Sequence, residues 1–479
     1  MSYKPYIIDS FRGGISDEDD RGIKGSFKYG YSLDIHKRRD SLTCQQAMLT
    51  IGGSTVTDFV KYFVCASDGS TFAFGDSGKI YGITGDSDHK VTLMYTEANG
   101  EIKGAAEWGL SDGTYHIYWA TDSTIARKLG SETSAASRYS DWTNGGVWKT
   151  ELVSKESYHP MKRAAGGLVI GNGNYLGYVE YDGDWNPIAM NIEPGNVIKC
   201  LESRGDYVLI GSENKDMAEE GHIWSWISTA TNYVQKKKIP VKGVNALLEA
   251  EFGLLQGGID GELFISDFSK TEPQVAVPGR GYSLAGGATI DNDLALFGIY
   301  GGDYPGLWSF GRRSRNRPSV LNQEYRFAQT VASNTLTGIG GVVSNNSTIY
   351  AGWKTAAAYG IDCVSSTTKA TALYEGLEFD ANNPHLTKHF RDVHLIMSPL
   401  PSGTSVAVKV KTNKASSWTD LKTADGQTTY TTTNSTEAVF LLDVNAKILE
   451  IGVTLTPTGN TSPEVLAIII YVEESTQEY

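Results

Sequence analysis

One pattern recurs seven times along the chain: an apolar run, a tight polar turn, a strand that closes on a small residue, and a second strand rich in aromatics. The closing residues are Gly75, Ala120, Gly171, Gly211, Gly257, Gly298 and Gly352, separated by 45, 51, 40, 46, 41 and 54 positions. A period in the forties with strands on both sides indicates the blades of a propeller. A single four-stranded antiparallel sheet cannot bury both of its faces, so similar units stack around an axis and each covers its neighbour.

Within one unit the four strands can be placed. The inner strand spans 197–202, a Ser-Arg-Gly-Asp turn follows at 203–206, and the second strand spans 207–211. The third spans 222–226, and the outer strand at 233–239 carries Lys236, Lys237 and Lys238, as befits an exposed edge. Third strands recur at 79–83, 175–179, 262–266, 307–310 and 358–362, with a weak version at 123–127. Alternation at period two and Ser-Asp-Gly, Asn-Gly-Asn or Asp-Asn-Asp turns mark them as strands. The strand order resembles that of WD-repeat propellers, but the Trp-Asp and Gly-His pairs are absent, so the likeness is one of architecture. The fold expected is all-β, a seven-bladed propeller (six or eight blades being the neighbouring counts) over 51–373. An N-terminal arm and hairpin over 1–50 joins it.

Composition restricts the reading further. A propeller of about 300 residues leaves room in 479 for roughly one more domain. The 53 glycines suit turn-dense β structure, and the helix-like stretch 244–251 reads better as a strand. No apolar run approaches the roughly 20 residues of a membrane span, and the N-terminus lacks the apolar core of a secretion signal. These features predict a soluble protein made in a cytoplasm. Cys44, Cys65, Cys200 and Cys363 form no CxxC pair and read as small buried residues. A net charge of −13 argues against a nucleic-acid-binding surface overall. Arg312, Arg313, Arg315 and Arg317 concentrate positive charge in one loop, which suits acidic partners at a protein interface.

From residue 374 glycine thins and threonine rises, with strands expected at 373–379, 390–397, 405–412, 429–433, 438–443, 448–455 and 466–473. This spacing suggests a C-terminal β-sandwich of jelly-roll type over 374–479. At the other end, Phe11-Arg12-Gly13-Gly14-Ile15 leads through an acidic run to Gly25-Ser26, then Leu33-Asp34-Ile35 and a polar hairpin turning at 37–40. This order resembles the opening of tailed-bacteriophage virion proteins that carry a Phe-x-Gly-Gly-Ile or Phe-x-Gly-Gly-Leu element, a Gly-Ser turn and a Leu-Asp-Ile strand before a propeller. The C-terminal pattern resembles terminal domains of phage tail proteins. The hairpin also offers strands, 31–35 or 41–46, that can pair beside 361–364 or 370–373 and close the ring.

Enzymatic chemistry finds little spare material. Propeller glycosidases need paired carboxylates near the axis, whereas Asp68, Asp112, Asp206, Asp260, Asp291 and Asp293 sit at hairpin turns that account for them. No Gly-x-Ser-x-Gly elbow, phosphate-binding loop or HExxH helix occurs. His385 and His389 lie four apart in strand and turn context, which does not converge on a metal. No catalytic residue, metal or cofactor is expected. Loop tryptophans Trp142, Trp148, Trp185 and Trp418 are candidates for exposed contacts, two of them in the insert 130–156. The expected interface residues are Phe11, Gly13, Gly14, Trp142, Trp148, Arg312, Arg313, Arg315, Arg317 and Trp418. The resemblance implies a structural role in the virion tail, as a nozzle or tail tip arranged as a ring around the DNA ejection path. Partners would be copies of the chain, other virion proteins and passing genomic DNA. The alternatives are a tail protein that binds a host receptor or surface glycan, and a propeller glycosidase.

Overall fold

The computed structural model describes residues 3–473 apart from 17, 21, 37–38, 86–87, 131–137, 140–141, 154–157, 218–219, 240–241, 252, 258–262, 267–270, 274–279, 283–286, 302–304 and 315. Among them the structure is almost wholly β, with helix confined to the turns Gly53–Thr55 and Ala328–Val331. No helix among the described residues is long and apolar enough to cross a membrane. The chain divides into two compact units. One comprises 49–306 and 327–363, the other 1–48, 307–326 and 364–479.

The first unit has a propeller-like fold. Four-stranded antiparallel sheets follow one another along the chain, and the second strands at Thr71–Gly75, Tyr115–Ala120, Gly167–Asn172, Tyr207–Asn214, Gly253–Gly257, Leu294–Tyr300 and Thr348–Thr355 lie where the repeat places them. The stretch 244–251 holds the strand Ala246–Ala250. Seven inner strands form a closed cycle: Val60–Cys65, Gly104–Gly109, Met161–Ala164, Asn196–Arg204, Ala246–Ala250, Ala288–Asp291 and Leu336–Asn345 each lie against the next, and the last returns to the first.

The cycle explains the closing small residues. A Cβ at Gly211 would meet Val244 Cγ1 at 2.8 Å, one at Gly171 would meet Ile198 Cγ2 at 2.8 Å, and one at Gly352 would meet the Val60 carbonyl at 2.3 Å. At these three glycines the next inner strand, or the residues leading into it, crosses too closely for a side chain. Between the sheets lie apolar layers of large side chains, among them Trp119, Trp224 and Tyr81, all fully buried. Three buried indoles are satisfied locally: Trp119 Nε1 donates to Glu97 (2.7 Å), Trp224 Nε1 to Ser212 Oγ (2.9 Å) and Trp353 Nε1 to Asp362 (2.7 Å).

The sheet of Leu336–Asn345, Thr348–Thr355 and Tyr359–Lys369 takes Gln46–Ile51 as its fourth strand, so the start of the chain does close the last sheet. The closing strand lies beyond the expected 41–46, because Leu42–Thr43 pairs instead with Glu464–Glu473. Thr50 Oγ1 donates to the buried Asp362 carboxylate at 2.8 Å, which also accepts the Ala328 N–H at 2.7 Å.

The second unit contains two runs of strands. In one, Tyr3–Ile8, Glu464–Glu473, Lys388–Met397 and Glu437–Ala446 lie side by side. In the other, Val320–Tyr325 pairs in parallel with Tyr29–Tyr31, followed by Ala372–Glu375, Leu449–Thr456 and Ser405–Thr412. Alternate residues such as Phe390, Leu395, Val406, Val408, Ile468 and Ile470 are buried, so one face of each run is apolar. The N-terminal segment 1–48, expected to join the propeller, thus contributes strands to the unit that holds the C-terminus. The sixth repeat divides. Its strands Ala288–Asp291 and Leu294–Tyr300 belong to the propeller unit, while residues 307–326 belong to the other.

Candidate functional site

The Phe-Arg-Gly-Gly-Ile element is built into the fold. Phe11 is fully buried, its ring edge-on to Tyr374 with centroids 5.6 Å apart, and its N–H donates to Asp40 at 2.8 Å. Gly13 N–H donates to the Gly25 carbonyl at 2.9 Å, and Gly14–Ile15 pairs in parallel with Ser26–Phe27. A Cβ on Gly13 would stand 2.2 Å from the Ser26 nitrogen. Gly14 has φ +69° and would place a Cβ 2.6 Å from Val320 Cβ. Here two glycines are required, one by space and one by backbone conformation. These three residues, expected at an interface, are instead the internal lock of the second unit, because an aromatic flanked by two glycines lets separate segments approach at backbone distance.

Trp142 is a second correction. It is only 3% exposed and packs against Phe72, Tyr95 and Trp119, at 5.2, 6.4 and 6.1 Å between centroids. The insert that carries it fills an apolar gap of the propeller core, so this tryptophan is core rather than contact surface. Trp148 is half-buried between Tyr118 and Trp185, with the Arg127 guanidinium 4.7 Å from its ring. Trp418 is half-buried too, flanked by the ammonium groups of Lys409 and Lys411 at 4.4 and 4.7 Å.

In the arginine loop, Arg312 Nη1 donates to the Arg317 carbonyl at 3.5 Å, and Arg317 Nη1 to the His36 carbonyl at 3.2 Å. Arg313 is exposed, and Arg315 lies outside the described residues. Burial and the neighbouring charge of Arg12 lower the pKa of Arg317. Arg12 itself lies 3.7 Å from Asp40.

Several polar centres escaped sequence reasoning. Glu107, fully buried, accepts Ser67 N–H (2.8 Å), Ser67 Oγ (3.0 Å) and Tyr139 OH (2.8 Å), and Arg163 Nη2 also donates to it. Its donors come from 32 to 56 residues away in sequence, so no local motif announces it. Asp58, also buried, accepts Ser77 N–H at 2.9 Å and Lys79 N–H at 3.3 Å, capping the turn after Gly75. Beside it Asp76 is pushed up to about 6 by burial and by its hydrogen bond with Asp58, against the pull of Lys61 at 3.4 Å. Asp68 and Asp112 accept N–H groups two residues on, at 2.9 Å each, as turn acids do.

A cavity of about 220 Å³ is lined from all seven inner strands, by Tyr62, Ala105, Lys162, Glu202, Leu247, Thr289 and Val342 among others. In its wall Lys162, on one inner strand, donates to Glu202 on the next at 3.0 Å. The four cysteines are free thiols, and burial raises them, Cys44, Cys65 and Cys363 to about 11 and Cys200 to about 12. They are inert at neutral pH. Among the described residues no three His, Cys, Asp or Glu side chains converge as a metal site.

No family model and no curated protein matches the sequence. Solved structures align with parts of it. The extracellular domain of a hybrid two-component system from B. thetaiotaomicron aligns at 15% identity over 75% of this chain and 44% of that one, with a TM-score of 0.45. The chain thus spans under half of that domain. The WD40 β-propeller domain of Doa1 aligns at 13% identity over 67% of this chain and 96% of that one, with a TM-score of 0.46.

Proposed function

We propose that the chain is a non-enzymatic structural protein of a tailed-phage virion, a tail nozzle or tail-tip component that assembles as a homo-oligomeric ring around the path of the leaving genome. The observation that carries this reading is the N-terminal Phe11-Arg12-Gly13-Gly14-Ile15 element with its Gly25-Ser26 turn, which resembles the opening of such tail proteins and in which Gly13 N–H donates to the Gly25 carbonyl at 2.9 Å. On this reading the first unit is a seven-bladed propeller, one blade for each inner strand of the closed cycle, and the second is a two-layer sandwich of jelly-roll type.

The DNA path in such an assembly runs between copies. The cavity inside the strand cycle, about 220 Å³, is too small for a duplex. Charge fits the role. The propeller unit has 21 basic and 34 acidic residues and so carries the whole net charge of −13, while the other unit has 21 of each. An acidic wall repels phosphate and lets DNA slide without sticking.

A second reading, a receptor- or glycan-binding tail protein, draws on the half-buried aromatics Trp148, Trp185 and Trp418 and the exposed Tyr181 as stacking surfaces. Size-exclusion chromatography with light scattering tests the first reading: a discrete multiple of the chain mass is expected. A monomer that hydrolyses glycosides sinks it, and a monomer that binds immobilised glycans at micromolar affinity shifts the assignment to the second.

A further inference from the structure

We propose that the arginine loop of one copy seats on an acidic, aromatic corner of the propeller unit of the next copy, and that this contact closes the ring. The inference rests on the oligomeric reading above and names the surfaces that would make it.

The receiving corner is formed by two turns. Ser111 N–H donates to the Tyr181 carbonyl at 2.7 Å, which holds the turn of Asp112 beside that of Tyr181, Asp182 and Asp184. Asp112, Glu180, Asp182 and Asp184 are all exposed, and none has a lysine or arginine nitrogen within 4.0 Å among the described residues. The carboxylates of Asp112 and Asp182 accept hydrogen bonds from within their own turns, as from Thr114 N–H to Asp112 at 2.9 Å and from Asp184 N–H to Asp182 at 3.1 Å. The Tyr181 ring, 58% exposed, meets Trp108 edge-on at 6.3 Å. Beside it opens a groove of about 430 Å³ lined by Tyr178, Glu180, Tyr181, Asn186 and Thr229. A guanidinium satisfies such a corner better than an ammonium does, since it stacks on the ring while its fork pairs with carboxylates.

The donor surface has the complementary surplus. Arg313 projects into solvent with no ion pair to any described residue, between Arg312 and Arg317, which are tied to backbone carbonyls. Arg12, paired with Asp40, stands near Arg317. The exposed Arg313 guanidinium gains from an anionic partner. The chain supplies one on its propeller unit, at one corner per loop. A contact between two different surfaces is heterologous, and repeated copies of it close into rings when the rotation permits. Duplex DNA would satisfy the arginines but leave the four carboxylates of the corner unanswered.

The test is self-association of the full chain, followed by light scattering and sedimentation at low and high salt. Arg313→Glu and the double variant Asp182→Lys with Asp184→Lys are each expected to weaken assembly about 30-fold or more. Added salt should weaken the wild type in the same direction. An equimolar mixture of the two variants should regain mixed oligomers, which a merely misfolded variant would not do. Wild-type assembly with either variant associating at full strength overturns this inference alone. So does an Arg313→Glu protein that assembles normally but loses binding to duplex DNA. A wild type that stays monomeric at every concentration and salt overturns both this inference and the oligomeric reading beneath it.

Discussion

The two units solve the same problem, bringing distant segments together, by different means. The propeller unit ties its sheets with buried carboxylates: Glu97 to Trp119, Glu107 to Tyr139, Ser67 and Arg163, and Asp362 to Trp353, Thr50 and the Ala328 N–H. The second unit ties its N-terminal element by bare backbone proximity at Gly13 and Gly14, with Phe11 plugged beneath. A carboxylate hub accepts donors from several strands at once and tolerates sequence variation around them. A glycine contact tolerates none, because the space it uses is fixed by backbone atoms. The difference suits their settings, a repeated sheet that needs cross-links and a unique crossing that needs clearance.

The largest effect should come from breaking a hub. Glu107→Ala leaves the buried Tyr139 OH without its acceptor and takes a partner from the exposed Ser67 and Arg163, and should cost about 3 kcal/mol. Urea unfolding followed by far-UV circular dichroism measures it. Glu107→Gln, which keeps one acceptor oxygen, should lose less. A loss under 1 kcal/mol for the alanine variant would show that the propeller does not depend on its buried acids.

Breaking the glycine lock should cost somewhat less and act on the other unit. Gly14→Ala places a side chain at φ +69° and 2.6 Å from Val320 Cβ, two penalties expected to total about 2–3 kcal/mol. Limited proteolysis should then cut first within 1–48, with the propeller strands protected. Cleavage beginning in the propeller instead would remove the distinction between the two units.

The repeat made most of the propeller legible before any coordinates, because a small residue is demanded wherever the next inner strand crosses, as at Gly211 against Val244. Strands such as Ser405–Thr412 and Glu464–Glu473 were legible too, since one-sided burial writes an alternating pattern. The candidate site was far less so. Trp142 sits in a non-repeating insert, and nothing in its flanking residues reveals the gap between Phe72 and Trp119 that it fills. Phe11 and its two glycines mark a crossing, and a sequence displays the tight element without displaying what it presses against. The acidic corner joins turns some 70 residues apart through the Ser111 to Tyr181 hydrogen bond, a proximity that only the stacking of neighbouring sheets creates.

The smallest expected effect sharpens the account of the acids. Asp76, next to Asp58 and facing Lys61 with Glu101, is raised from 3.8 to about 6 by burial first and by Asp58 second. Between these two values the folded chain binds more protons at this site than the unfolded chain, so the contribution of Asp76 to stability grows as pH falls from 7 towards 4 and fades as pH rises through 6. Its size should be about 1 kcal/mol once solvent screening at this half-buried carboxyl is allowed for. Asp76→Asn should flatten that part of the stability profile, measured as the urea midpoint at pH 5 and at pH 7. An unchanged slope in the variant would mean that Asp76 does not set this part of the profile.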